Sequence, residues 1–286
     1  VPTVLSIQSS VAYGHAGNSA AVFPMQRMGV DVWPVITVHF SNNTSYGSWR
    51  GPLLTPENID DVVTGIGERE VLDRVDAVLS GYQGAPEVGY SILRAVELVR
   101  AQNPDALYCC DPVMGDVGRG FFVKPGVPEF LRDQVVPRAD LVTPNHWELN
   151  YLTGHQETTT LPQILAAVDE LRARGPRTVL VTSVVSDQTA ADALDMLAVD
   201  DTGAWLVTTP RLDRVFTGSG DLTTAAFLTE YLAAAGKIAP ALGRTAGEVY
   251  GVLKHTTEVG ARELRLVEAQ DELVAPSHTF EVRRVR

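Results

Sequence analysis

The sequence predicts an α/β fold with a mostly parallel central sheet covered by helices on both faces. Strand-like and helix-like segments alternate almost throughout the 286 residues, the pattern of successive strand–helix units whose crossovers lay helices on a sheet. Composition fits a sizeable core, with 45% of residues hydrophobic and 20% charged. Polar residues stand where apolar runs stop, at Ser9, Tyr82, Asp111 and Asn145, and in such folds ligands bind beyond the carboxyl ends of the strands. No internal repeat, low-complexity tract or linker interrupts the chain. One domain over residues 1–286 is therefore expected, with the tail 261–286 weakly determined.

Thr3–Gln8 reads as a buried strand ending at Ser9-Ser10, and Tyr13–Asn18 as a glycine-containing turn. Asn18 or Ser19 can cap a helix that runs through Met28 and ends at Gly29. Val30–Val38 is a second strand. Phe40–Gly51, rich in Asn, Ser, Gly and aromatics without a clear period, reads as a loop or flap. Thr55-Pro56-Glu57 opens a helix with Pro near its first position. Val75–Ser80 is a third strand; Glu87–Gln102 is a helix with Val88, Ile92, Val96 and Val99 on one face. Ala106–Cys110 is a strand ending at Asp111-Pro112. Val127–Val136 is helical, and Ala139–Thr143 is a strand ending at Pro144-Asn145. Glu148–Thr153 is a short helix closed by Gly154, and Leu161–Arg174 a longer one closed by Gly175. After a strand over Arg177–Thr182, Leu194–Asp200 and Ala204–Thr208 form a hairpin around Asp201-Thr202-Gly203. Helices over Gly218–Ala235 and Leu242–Gly260 complete the series.

The formal net charge of −12 repels a phosphate backbone, which excludes bulk nucleic-acid binding. An anionic nucleotide can bind only where local dipoles and a metal overcome that field. The two cysteines, Cys109 and Cys110, are neighbours whose side chains leave a strand on opposite faces, so they read as small buried residues rather than a disulfide or nucleophiles. That usage suits a reducing cytoplasm. No apolar run is long enough to span a bilayer, and Val1-Pro2-Thr3 does not begin a signal peptide.

Four segments could carry chemistry. In Thr217-Gly218-Ser219-Gly220-Asp221, small residues let backbone N–H groups converge on an anion, and the helix that starts there adds free donors and a positive dipole end. Asp221 could take a proton from an attacking alcohol, its ionised form favoured by the helix N-terminus. A glycine turn with an acid at a helix start is the plainer alternative. The segment is not a Walker A loop, because Asp221-Leu222 stands where Lys-Ser/Thr is needed. Nor is it a dinucleotide fingerprint, because Thr223 replaces the third glycine. Asn145 and Glu148 share one face of a first helical turn; the carboxylate suits a hydrated Mg²⁺, and a capping pair is the alternative. Asp111, at a strand end, can reach a metal or a phosphate's water, or simply form an Asp-Pro turn. Ser6–Asn18 and Phe40–Gly47 gather hydroxyls and amides beside Tyr13, Phe40 and Tyr46, a set suited to a small aromatic ligand with polar edges. None of the six His has metal-ligand spacing; His15 and His146 fall in these suspect loops.

These residues carry a resemblance. Ser6-Ile7-Gln8-Ser9 and the run from Tyr13-Gly14-His15 to Val22-Phe23-Pro24 resemble the start of pyridoxal kinases. Phe40-Ser41-Asn42, Thr44, Tyr46-Gly47, Gly81-Tyr82, Cys110-Asp111-Pro112-Val113-Met114-Gly115-Asp116, Thr143-Pro144-Asn145 with Glu148, and Gly218-Ser219-Gly220-Asp221 follow in the expected order, through Gly260. The first run is specific to that family; the last three motifs belong to the wider ribokinase-like superfamily. The resemblance implies a ribokinase-like three-layer α/β/α sandwich and ATP-dependent phosphorylation of the 5′-hydroxymethyl group of pyridoxal. It implies Asp221 as base beside the Gly218-Ser219-Gly220 turn, and Ser9, Thr44, Ser45 and Tyr82 on the substrate. It places Asp111, Thr143, Asn145, Glu148, Thr182 and Pro210-Arg211-Leu212-Asp213 near the nucleotide, with Asp111 and Glu148 serving Mg²⁺ through water. The implied cofactors are ATP and Mg²⁺, with a monovalent cation such as K⁺ as a further one, and the implied state is a cytoplasmic homodimer.

Some positions depart from the family. Ser10 and Asn43 stand where His is common, Gln83 stands where an apolar residue is common, and the stretch from Pro210 to Thr217 is short. The first three bear on vitamer preference, the last on adenine contacts. A kinase of hydroxymethylpyrimidine or another vitamer is the alternative within the class. A non-catalytic vitamer- or nucleotide-binding protein is the alternative outside it, and the intact Asp221 argues against that.

Overall fold

The computed structural model describes residues 1–286. The chain runs β1 (Thr3–Tyr13), α1 (Asn18–Arg27), β2 (Asp31–Asn42), α2 (Pro56–Gly67), β3 (Ala77–Ser80), α3 (Pro86–Gln102) and β4 (Leu107–Cys110). A small antiparallel pair, β5 (Gly115–Asp116) and β6 (Gly120–Phe121), comes next. There follow α4 (Val127–Phe130), β7 (Leu141–Val142), α5 (His146–Thr153), α6 (Leu161–Arg172), β8 (Thr178–Val184), β9 (Ala193–Asp200), β10 (Gly203–Pro210), α7 (Ser219–Ala233), α8 (Ile238–Glu258) and β11 (Val282–Arg284).

Nine strands form one sheet in the order β11-β10-β9-β8-β7-β4-β3-β1-β2. Pairing is parallel from β2 across to β8 and antiparallel from β8 to β11. Successive strand residues face opposite sides, and the core divides accordingly. Leu5, Val78, Val142 and Val179 pack with Ile59 of α2, Ile92 of α3, Leu149 of α5 and Ile164 of α6. Val4, Leu79, Leu141 and Leu180 pack with Met25 of α1, Phe227 of α7 and Leu242 of α8. This is the three-layer sandwich that the sequence predicts.

The differences lie in lengths and roles. β1 continues past Ser9-Ser10 to Tyr13, and β2 reaches Asn42, because the two strands pair beyond a register shift between Gln8 and Ser10. The flap is therefore shorter than Phe40–Gly51. Neither Asn18 nor Ser19 caps α1; Gly17 holds the cap position without a side-chain bond. Asn18 is buried instead, and its Nδ2 donates to the carbonyls of Ser6, Gln8 and Val35 at 3.0–3.3 Å. Of these, Gln8 borders the register shift between Gln8 and Ser10, where the ladder is locally disrupted. The tail is ordered, with a 3-10 turn at Gln270–Leu273 and β11 closing the sheet's antiparallel edge. No helix is long and apolar enough to cross a membrane.

One charge sits away from any cleft. Glu248 of α8 is fully buried, and Arg244 comes within 3.1 Å of one oxygen, yet no donor meets either oxygen in hydrogen-bond geometry. Burial, and then the neighbouring Glu230 carboxylate, push its pKa up to about 9. A carboxyl raised by folding contributes stability below its unfolded pKa of ~4.3, and that stability is lost as pH rises through the folded value. Glu248→Gln should escape this loss. Scanning calorimetry should show the variant's Tm gaining on wild type between pH 5 and pH 9, by ~2 °C or more; parallel curves would place the charge in solvent contact.

Candidate active site

The strand register builds the site. Ile7, Ser80, Cys110, Val142 and Val179 lie in line across five adjacent parallel strands. The residues just beyond them share one edge. Asp111 is held there by its N–H bond to the Ser80 carbonyl (2.8 Å), Thr143 by its bond to Cys110 (3.1 Å), and Thr182 by its bond to Pro144 (3.0 Å). Above this edge lies a cleft that opens to solvent on one side.

The α7 N-terminus faces the cleft, and its turn is built for close approach. Gly218 has φ +85°, and a Cβ there would collide with the His15 carbonyl. Only glycine fits on both counts. The backbone of Gly218–Gly220 and the Asp221 side chain line the cleft together with Asp111 and Glu148. Loss of water pushes Asp221 up to about 6, although N–H groups of Gly17 and of Asp221 itself pull the other way. The N–H groups at the helix start thus favour the ionised form, while desolvation dominates the net shift. Asp111 is raised well above the usual range by burial, then by the Asp221 and Glu148 charges.

Glu148 shows how the two readings of its segment coexist. Its Oε2 accepts the Asn145 N–H at 2.9 Å, and Asn145 Oδ1 accepts the Glu148 N–H at 2.8 Å, a complete capping box. Its Oε1 accepts the N–H groups of Met114 (3.0 Å) and Gly115 (3.4 Å). The same carboxylate still lines the cleft; burial pushes it up to about 8 against these bonds. Asn145 in turn donates to the Gly115 carbonyl at 2.9 Å and so holds the β5–β6 ribbon.

Ser9, Thr44, Ser45, Tyr82, Asp111, Thr143, Asn145, Glu148, Thr182, Gly218, Ser219, Gly220 and Asp221 all line the cleft. The flap side adds Val11, Val38 and Phe40; the far side adds Val113, Phe122, Val215 and Phe216. Pro210–Asp213 do not form its walls. Pro210 ends β10 opposite Ala193, Arg211 N–H bonds the Asp192 carbonyl, and Leu212 packs against the cluster around Phe216 and Leu222. Of the departing positions, Gln83 is buried and donates to the Ala85 carbonyl, and Ser10 bonds Ser19, both outside the cleft walls. Asn43 does line it. His146 is tied to Thr158 at 2.8 Å and serves structure. Cys110, fully buried and pushed up to about 12 by that burial, is no nucleophile.

Arg119 was not legible in sequence. It follows Gly118 in the turn between β5 and β6, its guanidinium 4.9 Å from the Phe122 ring centroid, and it is the one Lys or Arg among the cleft walls. No group of three or more His, Cys, Asp or Glu side chains is spaced to hold a metal directly.

A family model described as phosphomethylpyrimidine kinase matches residues 72–266. The chain is 55% identical over 282 residues to pyridoxal kinase PdxY of Leifsonia xyli, covering 99% of each. It is 56% identical over 283 residues to pyridoxal kinase PdxY of Rubrobacter xylanophilus, covering 99% of this chain and 97% of that one. Among solved structures it is similar to pyridoxal kinase from Leishmania donovani in complex with ADP and pyridoxine, with a TM-score of 0.91, 30% identity and 99% of both chains covered.

The raised Asp221 has a consequence for stability. Its favourable contribution is full below an unfolded pKa of ~3.9 and is lost as pH rises through about 6. Asp221→Asn, neutral throughout, should therefore melt ~2–4 °C above wild type at pH 8 and lose that advantage near pH 4. Thermal melts of the ligand-free proteins across this range decide it; a variant less stable at pH 8 would show that the carboxylate is well compensated.

Proposed function

This chain belongs to the pyridoxal kinase family of the ribokinase-like superfamily, and from that premise we propose that its cleft transfers the γ-phosphoryl group of ATP to the 5′-hydroxymethyl group of pyridoxal with Asp221 as base. The observation that carries the reading is the meeting of a carboxylate and an anion turn in one helix start. Asp221 stands at the first turn of α7, directly after the glycine-containing turn Gly218–Gly220 that lines the cleft. With its pKa near 6 it is ionised at neutral pH, yet more basic than an ordinary aspartate.

The substrate oxygen forms a bond to the γ-phosphorus while the bond to the β,γ-bridging oxygen breaks and ADP leaves. The hydroxyl proton passes to Asp221 and then to solvent. Such a transition state is loose and needs positioning and charge compensation more than covalent help. Backbone N–H groups at the α7 start supply part of that charge, and Arg119 is placed to supply more. The oxygen donors Asp111 and Glu148 fit Mg²⁺ held through water, since both Glu148 oxygens already accept backbone bonds. The ion supplies positive charge to the phosphates when bound. Ser9, Thr44 and Ser45 offer hydrogen bonds to the pyridine edge, and Tyr82 offers a ring face. Thr143, Asn145 and Thr182 lie toward the nucleotide, with Pro210–Asp213 beyond the cleft rim. We extend the proposal to a single working domain, a cytoplasmic homodimer, and a monovalent cation such as K⁺ as a further cofactor.

A hydroxymethylpyrimidine kinase is the second reading, favoured by the family model over residues 72–266. That span leaves out Ser9, Val38, Thr44 and Ser45, the substrate walls, where the full-length relatives are pyridoxal kinases. Steady-state assays with ATP-Mg²⁺ and pyridoxal, pyridoxine, pyridoxamine or hydroxymethylpyrimidine should give the highest kcat/KM for pyridoxal. Preference for the pyrimidine would replace the substrate; binding without turnover would replace the class. Asp221→Asn should lower kcat by at least ~10²-fold, the scale of a lost general base, while calorimetry finds ADP affinity changed far less. Arg119→Gln should raise KM for ATP by ~10-fold, the weight of one charged contact, and leave KM for pyridoxal nearly unchanged; equal changes in both would remove Arg119 from the phosphates.

A further inference from the structure

The departure at Asn43 and the ordered tail meet at one residue. After α8 the chain turns back, and Leu264 and Leu266 bury themselves in the cluster that contains Phe216 and Leu222, beside the anion turn. Between the exposed Arg262 and Leu264 stands Glu263, aimed at the substrate end. Its Oε1 accepts from the Tyr46 hydroxyl at 2.8 Å and from Asn43 Nδ2 at 3.2 Å; its Oε2 accepts the His15 N–H at 3.0 Å. Arg262 adds a second grip, its guanidinium 3.6 Å from the Tyr46 ring centroid and its Nη2 donating to the Ser45 carbonyl at 3.2 Å. Gly14 makes the room: it has φ +85°, and a Cβ there would strike the Glu263 carboxylate.

We infer that Glu263 is a positioning residue that latches the substrate flap against the loop carrying Gly17, so that a residue of the C-terminal segment sets affinity for the vitamer. The inference deepens the pyridoxal kinase reading and rests on it for the substrate. Asn43 is the joint. Its Oδ1 accepts the Ser45 N–H at 3.1 Å and so shapes the turn Thr44–Tyr46, while its Nδ2 reaches Glu263. Thr44 and Ser45 on that turn line the cleft. On the other arm, the His15 carbonyl abuts Gly218, and the Gly17 N–H lies near enough to the Asp221 carboxylate to favour its ionised form. One carboxylate therefore fixes the distance between the groups that hold the ring and the groups that face the reacting hydroxyl. Besides the pairing of β2 with β1 up to Asn42, the flap is tied by His39 to Pro52 (2.9 Å) and Ser41 to Arg50 (2.7 Å) at its base, by Asn42 Nδ2 to the Ser48 carbonyl (2.8 Å), and by a long bond from Thr217 Oγ1 to Ser45 Oγ (3.4 Å).

Glu263→Ala should raise KM for pyridoxal by ~10-fold, the equivalent of one or two charged hydrogen bonds, with kcat and KM for ATP within ~3-fold of wild type. Glu263→Gln, which keeps one acceptor, should fall between. The Glu263→Ala penalty should shrink in a Tyr46→Phe background, because the two share a bond. Hydrogen exchange of the ligand-free protein should quicken over residues 13–17 and 43–51 and nowhere else. Unchanged exchange there, or a general quickening with KM for both substrates raised, would overturn the inference and leave Glu263 a structural residue. If wild type itself fails to phosphorylate pyridoxal, the proposed function falls, and the exchange pattern alone still decides the latch.

Discussion

Three carboxyl groups brought to one sheet edge set the terms for the rest of the molecule. Asp111 and Glu148 are buried, Asp221 faces the cleft beside them, and loss of water pushes all three above their ordinary range. Like charges in a low-dielectric place resist one another, and nothing in their own chemistry holds them together. The architecture does. Asp111 is fixed by β4, Glu148 by the first turn of α5 and Asp221 by the first turn of α7. Each follows a strand or opens a helix, so each position depends on the strand order between β3 and β8 and on which face each crossover helix takes. Backbone N–H groups from Met114, Gly115, Asn145 and Gly17 offset part of the cost. The remainder is uncompensated within the chain, so a ligand that brings positive charge to this edge is favoured.

The same edge explains why much of the site was legible in sequence. The capping box of Asn145 and Glu148 spans three residues, and the anion turn Gly218–Asp221 spans four, so short-range pattern captures them. Ser9, Asp111 and Thr143 are marked because an apolar run stops there, although all three are buried and β1 continues past Ser9. The three layers follow from alternation of strands and helices, and the two core faces follow from side-chain period. What short-range pattern misses is a polar side chain whose partners are remote. Asn18 looked like a helix cap, but its carbonyl partners lie up to 17 residues away across a register shift. Glu263 finds donors 217 to 248 residues away, in a tail whose alternating charges gave no period. Arg119 sits on a ribbon of two-residue strands, too short to leave a hydrophobic signature.

The way the flap is secured bears on how such a cleft can work at all. A cleft that must take in two ligands and release two products needs one wall that moves. One wall of the cleft is made of strand ends and helix starts and is fixed by the core. The flap wall carries a short turn, Thr44–Tyr46, on strands that have outrun their neighbours. Burial of apolar surface there would hold the flap shut, because each large side chain stabilises by ~1.5–3 kcal/mol. Side-chain hydrogen bonds to a partly exposed carboxylate are directional, and water can replace them when the flap lifts. Geometry is then defined in the closed state at small cost to opening. That balance accounts for polar rather than apolar contacts between the flap and the tail, while Leu264 and Leu266, one step further along, are buried without exception.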